Sequence, residues 1–378
     1  MKKENNRDCW PTREQELLLR AALLRGKDAI SAWEEWKIAT DIEEADPGSE
    51  RLFPLLHRNL ITHEIRDPLV DKLKAFYLRT WRRNQLLFYK TATLLQLFHK
   101  AGIQTMILKG VALTALYYRD YGLRPMGDVD ILVRMDSALE AIGLLRKLGW
   151  TPNSELPENL IYVSHAIAFK NGSERAVDLH WHVLHESRRS DEDDNFWEGA
   201  VSISFNNVST YALNPVDQLL HVCAHGVKWN DIPPFHWVAD AMTIMNSTQI
   251  DWERLVSQLQ NHRLVLPIRD ALDYLRNELG AYIPQFARRT IENIRTSRTE
   301  RVEYKYRVQR YVQKPLGYLP IIWFDYSRSA DNKSLPFKIL GFVRYLQLYW
   351  NAKYLWQLPF YAMYMAIRRI RTFMSHHK

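Results

Sequence analysis

At 378 residues the chain exceeds one ordinary hydrophobic core and reads as two or three cooperating units. A 47% hydrophobic content with 14 Gly and 13 Trp excludes a disordered or fibrous protein and indicates a globular, helix-rich one. The net charge of +8 is uneven: residues 288–378 carry 18 Lys and Arg against 5 Asp and Glu, which leaves the remainder net acidic. Two cysteines, Cys9 and Cys223, cannot build a disulfide framework, so the expected location is a reducing cytoplasm. The opening MKKENNRDCW has charges but no apolar stretch behind them, so no secretory leader is expected. No run approaches the ~18 apolar residues of a membrane span.

In chain order, apolar residues recur at helical spacing over Glu14–Leu24, Ala29–Thr40, Leu52–Leu60 and Leu69–Ala101, with Asp46-Pro-Gly-Ser49 as a turn. Trp81, Leu86, Leu87, Leu94 and Leu97 are the expected buried stripe of the last of these helices. All of them read as structural, with no chemistry. Ile103–Leu108 is an apolar strand ending in Lys109-Gly110. A short helical run and a polar loop with Gly122, Pro125 and Gly127 lead to a second strand, Asp128–Val133. A helix is expected over Ser137–Leu148, a strand after Gly149-Trp150, and a hairpin of His165–Lys170 with Ala176–Val183 through Asn171-Gly172, a strong two-residue turn. Beyond the charged loop Glu186–Asp194, Asn214-Pro215 is a helix start with Asn as cap. Helices are expected over Val216–Lys228, Phe235–Met245 and, as a pair, Asp251–Leu279. Residues 288–312 read as an Arg-rich helix, Gln313–Pro320 as a break, and Phe337–Met374 as an aromatic-rich basic helix.

The chemistry concentrates at Asp128-Val-Asp130. Side chains alternate along a strand, so the two carboxylates share one face about 6–7 Å apart, where they repel unless a cation lies between them. Mg²⁺ or Mn²⁺ with a phosphate ligand resolves that repulsion, since such ions take one or two carboxylates and leave other positions to phosphate oxygens. The half-buried strand pattern of Arg175–Val183 adds Asp178 as a third acid if it pairs beside Asp128–Val133.

Leu108-Lys109-Gly110, Tyr117, Arg124-Pro125, Asp128-x-Asp130 and Asp178-Leu179-His180-Trp181 together resemble a bacterial group of uncharacterised nucleotidyltransferase-like proteins within the polymerase-β-type superfamily. The likeness covers roughly residues 85–250. It implies an α+β fold: a mixed-sheet nucleotidyltransferase core (residues 103–212) flanked by an N-terminal helical region (1–102), a helical lid (213–287) and a basic, aromatic C-terminal helical region (288–378). It implies a metal-dependent transfer of a nucleoside monophosphate from a nucleoside triphosphate to a hydroxyl on a small molecule, sugar or protein. Asp128 and Asp130 would hold Mg²⁺ or Mn²⁺, and Asp178 would share a second ion or take the proton of the attacking hydroxyl. Gly110 would let backbone N–H groups approach the phosphates. More familiar members of the superfamily carry Ser after this glycine. Here it is Val111, and Lys109 stands in for the missing hydroxyl.

Several roles stay open at this stage. Lys109 either neutralises triphosphate charge or reaches solvent. Arg124 either neutralises phosphate or pairs with Asp128 or Asp120. His180 either lines the acceptor site or pairs with an acid, and His182 carries less weight. The likeness extends to His225-Gly226, Trp237 and Asp240, either as a lid over the nucleotide or as a His–Asp hydrogen bond fixing two helices. His221 and His225 have metal-ligand spacing, but no acid completes a zinc site. A catalytically silent nucleotide-binding scaffold is the alternative that retention of all three acids argues against. A nucleic-acid-directed enzyme is the other, with the basic C-terminal quarter as its footprint. For Phe337–Met374, packing is the expectation, because Pro359 interrupts the apolar face. Peripheral contact of residues 337–378 with a membrane or a partner protein is the competing one.

Overall fold

The computed structural model describes residues 9–154, 159–172, 174–187, 189–228, 235–309, 316–330 and 334–375. Most of the N-terminal MKKENNRDCW, Arg188 of the charged loop, residues 310–312 of the Arg-rich segment and 313–315 of the break lie outside these.

Seven strands make one mixed sheet: β1 Thr105–Ile107, β2 Val129–Val133, β3 Thr151–Pro152, β4 Ala166–Asn171, β5 Glu174–His180, β6 Val201–Phe205 and β7 Val208–Ala212. Their order is β3-β4-β5-β2-β1-β7-β6. With its surrounding helices this is the expected α+β class, although the sheet is larger than expected. The addition is the hairpin β6–β7, which the sequence reading passed over. It turns through Asn206-Asn207, both at positive φ (46° and 64°), as a two-residue hairpin loop requires. β7 then runs parallel to β1, pairing Tyr211 with Met106 and Ala212 with Ile107. Thr105 and Thr210 add a hydroxyl pair at 2.9 Å. The anticipated hairpin through Asn171-Gly172 forms as β4–β5, with Gly172 at φ 71°. Its second strand stops at His180, before the expected Val183. There Trp181 turns away to donate its backbone N–H to His165 and its indole Nε1 to the Ser164 carbonyl at 2.8 Å.

The chain divides into two compact units. The first comprises residues 1–131 and 199–296. Its N-terminal helices fall close to expectation: Arg13–Leu23, Gly26–Ala39, Phe53–Thr62 and a single 33-residue helix, Pro68–Lys100. Thr12 and Gln15 form a reciprocal capping box at the first. Asp46 caps a short helical turn, Pro47–Glu50, through the N–H groups of Gly48 and Ser49. The buried stripe of the long helix differs from the one expected. Leu94 is buried as expected, but Trp81 and Leu86 are 43% and 52% exposed, whereas Leu73, Thr80, Asn84, Phe88, Thr91, Leu95 and Phe98 face inward. The inward row is part polar because Asn84 Nδ2 donates to the Tyr121 and Arg124 carbonyls at 2.7 and 2.8 Å. A buried loop backbone needs such donors, and satisfying it outweighs the hydrophobicity of Trp81. The later helices include Pro215–Gly226, capped by Asn214, and His236–Ser247. They meet where a Cβ on Gly226 would lie 2.0 Å from the Trp237 ring.

The second unit comprises residues 132–198 and 297–378. It holds β3–β5, the helix Ala138–Lys147, and the helices Arg298–Val308, Leu319–Ser329, Leu335–Tyr349 and Leu358–Ser375. Buried Arg307 gathers Asp325 at 2.6 Å and Glu303 at 2.8 Å. Packing of the C-terminal segment is the expectation that needs correction. One face of Leu335–Tyr349 does pack: Tyr345 and Phe342 join Tyr326 and Trp323. The rest stays open, with Phe337, Leu340, Trp356 and Tyr364 exposed by 67%, 72%, 65% and 61%. Apolar residues run round more of these helices than a single inward face can cover.

Gly226→Ala should destabilise the first unit by about 1–3 kcal/mol, since a methyl group must enter filled space. A lower urea midpoint with altered Trp fluorescence is the expected readout.

Candidate active site

The site begins where β1 ends. The Leu108 N–H donates to the Asp130 carbonyl at 3.0 Å, bringing the Lys109-Gly110 corner beside β2. Lys109 holds a left-handed backbone, φ 44°, which costs a non-glycine residue about 1–2 kcal/mol. The corner aims its ammonium at Asp130: Nζ lies 2.6 Å from Oδ1 of that buried carboxylate. Lys109 therefore follows neither the solvent reading nor bare repulsion between acids, because the protein supplies a cation of its own. Asp128 sits just ahead of β2, open to solvent on one side and crowded by protein on the others. Burial and the Asp130 charge push its carboxyl above the usual range, while Lys109, Arg51 and Arg124 pull the other way.

Arg124 has a partner that sequence reasoning did not foresee. Its Nε and Nη2 each lie 2.8 Å from the two oxygens of Asp240, a bidentate pair in the interior. Tyr118 donates its hydroxyl to the same carboxylate at 2.8 Å. Five residues of π-helix, Thr114–Tyr118, deliver that hydroxyl and end at Arg119 in the left-handed conformation. Asp120 instead accepts from Gly122 N–H at 2.7 Å and from the Tyr77 hydroxyl at 3.2 Å. Gly110 has a local reason to be glycine, since a Cβ there would lie 2.4 Å from Arg124 Nη1 and 2.7 Å from Met126 Sδ. The close approach is thus made by the protein's own side chains.

His225 and Asp240 do not form the pair considered from sequence, since Asp240 is taken up by Arg124 and Tyr118. His225 stands on the helix Pro215–Gly226 within electrostatic reach of Lys109 and Asp130. Crowding and the nearby lysines, Lys109 and Lys228, push its imidazole well below the usual histidine range. Across the site, burial and Arg51 push His236 down to about 3. Arg51 is a residue that sequence reading missed, since its helical segment carried no chemical signature. It nevertheless lies within electrostatic reach of Asp128, Asp240 and Arg124.

On β5, Asp178 is half-buried and His180 buried, on the face opposite Val177 and Leu179. A carboxylate and an imidazole on one strand face are donors that suit a divalent cation. His182 is a structural residue: its Nδ1 pairs with buried Asp193, which also accepts the Val183 N–H at 2.8 Å.

A family model described as "uncharacterised nucleotidyltransferase" matches residues 48–280. No curated protein matches the chain. Among solved structures, the chain is similar to the antibiotic-resistance factor ANT(2'')-Ia at 12% identity and a TM-score of 0.34, over 50% of this chain and 95% of that one. It is similar to an antigenic nucleotidyltransferase-like protein from Paracoccidioides brasiliensis at 15% identity and a TM-score of 0.37, over 53% and 95% of the two chains.

Asp240→Ala should cost about 3–5 kcal/mol, because it strands the Arg124 charge in the interior. Burial alone would raise the Asp240 carboxyl, but Arg124 more than offsets it and holds it below the usual range. The stabilisation is therefore complete above the unfolded-chain value, about pH 4, and is lost as the pH falls through the lower folded value. Urea midpoints of wild type and variant should differ widely at pH 7 and converge towards pH 2.

Proposed function

The chain belongs to the family of uncharacterised nucleotidyltransferases, and we propose that it moves a nucleoside monophosphate from a nucleoside triphosphate to a hydroxyl on a small molecule, sugar or protein. The observation that carries this reading is the corner where Lys109 Nζ lies 2.6 Å from Asp130 Oδ1, with Asp128 within electrostatic reach of both. In such a transfer the acceptor oxygen bonds to the α-phosphorus, the bond to the β-phosphate oxygen breaks, and pyrophosphate leaves. A bound Mg²⁺ or Mn²⁺ would neutralise phosphoryl charge and orient the triphosphate. Asp128, Asp130 and Asp178 are the residues to hold it, with His180 completing the donor set. Asp178 would also take the proton of the acceptor hydroxyl. Lys109 brings positive charge to the corner where a Ser hydroxyl is missing. Gly110 and Arg124 keep that corner in shape, with Arg124 locked to Asp240. His225, kept neutral by its surroundings, adds a polar edge without further charge.

Asp130→Asn should abolish turnover while the protein stays folded. In calorimetry, a non-hydrolysable triphosphate should bind wild type much more tightly with Mg²⁺ than without it. Equal affinity in the two conditions would contradict the metal-dependent reading and favour a silent nucleotide-binding scaffold.

For the C-terminal helices we propose peripheral contact with an anionic membrane surface. Phe360, Met363, Tyr364, Ile367 and Ile370 form an exposed stripe at helical spacing on Leu358–Ser375, and Phe337 and Leu340 extend exposed apolar surface on Leu335–Tyr349. Residues 335–375 hold six Lys and Arg and no Asp or Glu. Apolar and aromatic surface with an all-cationic complement suits anionic headgroups. Among the described residues, no helix is long and apolar enough to cross a membrane. The full chain should float with vesicles containing phosphatidylserine, less so as salt rises, and a chain lacking residues 335–378 should not. Retained flotation after the truncation would overturn the assignment.

A further inference from the structure

Within the first unit lies a cavity of about 150 Å³ lined by Arg51, Phe76, Arg79, Arg83 and Asn84, with Glu50 as the acidic residue of its wall. Pro125 and Met126, which lead into Asp128, close one side. Three guanidinium groups against one carboxylate leave the cavity cationic. None of the three arginines has a carboxylate within ion-pair distance among the described residues, in contrast to Arg124 and Arg307. Arg79 is held in place by stacking its guanidinium over the Phe76 ring, 4.6 Å from the centroid. Gathering unpaired cations costs a protein repulsion energy, and a bound anion recovers it. Guanidinium groups suit phosphate in particular, through their planar fork of donors.

Asn84 is fully buried and committed through Nδ2 to the Tyr121 and Arg124 carbonyls, so the arginines supply the ligand contacts. The volume sets the size. Pockets that enclose whole ligands span about 300–1,000 Å³, so this one takes a phosphoryl group and its nearest atoms and no more.

We propose that this cavity binds the phosphate group of a substrate through its three arginines. The proposal rests on the transferase reading for its substrate, and two sources of the phosphate are distinguishable: the terminal phosphate of the nucleoside triphosphate, or a phosphorylated acceptor. The arginines then act as positioning residues, holding one end of a substrate whose other end reaches the acids.

The test is calorimetric titration of the full chain with inorganic phosphate, in wild type, in the Arg79→Ala/Arg83→Ala double variant and in Asp130→Asn. Both arginines are exposed side chains, and the melting temperature of the double variant should match wild type. The expected result is at least a tenfold loss of phosphate affinity in the double variant and no loss in Asp130→Asn. Titration with a magnesium-loaded non-hydrolysable triphosphate then identifies the source. A tenfold loss in the double variant assigns the cavity to the triphosphate tail, and an unchanged affinity assigns it to the second substrate. Phosphate binding that is the same in wild type and the double variant, or that disappears in Asp130→Asn, would overturn the proposal. Because phosphate binding needs no turnover, either outcome leaves the transferase reading to be judged by its own experiment.

Discussion

The buried pair of Arg124 and Asp240 is the interaction on which the rest of the site depends. It spans more than a hundred residues of sequence and joins the loop before β2 to the helix His236–Ser247. A buried charge pair of this kind is weak evidence for net stability, because two desolvation penalties oppose one attraction. Its value here is positional. With two guanidinium nitrogens, Nε and Nη2, engaged, the loop has one place to sit. Gly110 can lie against Arg124, and Asn84 can hold the loop carbonyls from the other side. Tyr118 closes the arrangement from the π-helix, a form that commonly marks functional segments.

Around that anchor, the site is an exercise in charge matching. Burial and the Asp130 charge raise the proton affinity of Asp128, and Lys109 answers the more buried Asp130 directly. Its backbone takes a left-handed conformation that most lysines avoid, so the side chain is held to its target at an energetic cost. Arg51 and Arg124 add positive potential from other directions. Desolvation and nearby cations hold the imidazoles of His225 and His236 below the usual histidine range, so they do not add to the positive field.

The second unit follows a different logic. Its interior is held by a buried cluster of Arg307, Glu303 and Asp325 together with an aromatic group around Tyr326 and Tyr345. The two C-terminal helices spend only part of their apolar surface on that core. What remains outside is rich in aromatic residues and free of acidic ones, a combination that ordinary solvated helices do not keep.

Much of this was legible in the chain alone. Strand alternation put Asp128 and Asp130, and likewise Asp178 and His180, into pairs sharing a face, because a two-residue period leaves no choice. The cap at Asn214 and the turn at Asn171-Gly172 follow from local hydrogen bonding and backbone freedom, which act over a few residues. The hairpin at Asn206-Asn207 carried the same kind of signal and was legible in principle. Tertiary structure alone decided the partners. That Arg124 would choose Asp240 over nearby Asp120 or Asp128, that Lys109 would turn back onto Asp130, and that Arg51 would reach the site from a turn between two helices are outcomes of three-dimensional proximity. Charge attracts charge at any sequence separation, so periodicity can say which face a side chain occupies but not which distant residue will meet it there. For the same reason the long helix buries Asn84 and exposes Trp81: the unsatisfied carbonyls that Asn84 serves belong to a loop some forty residues away.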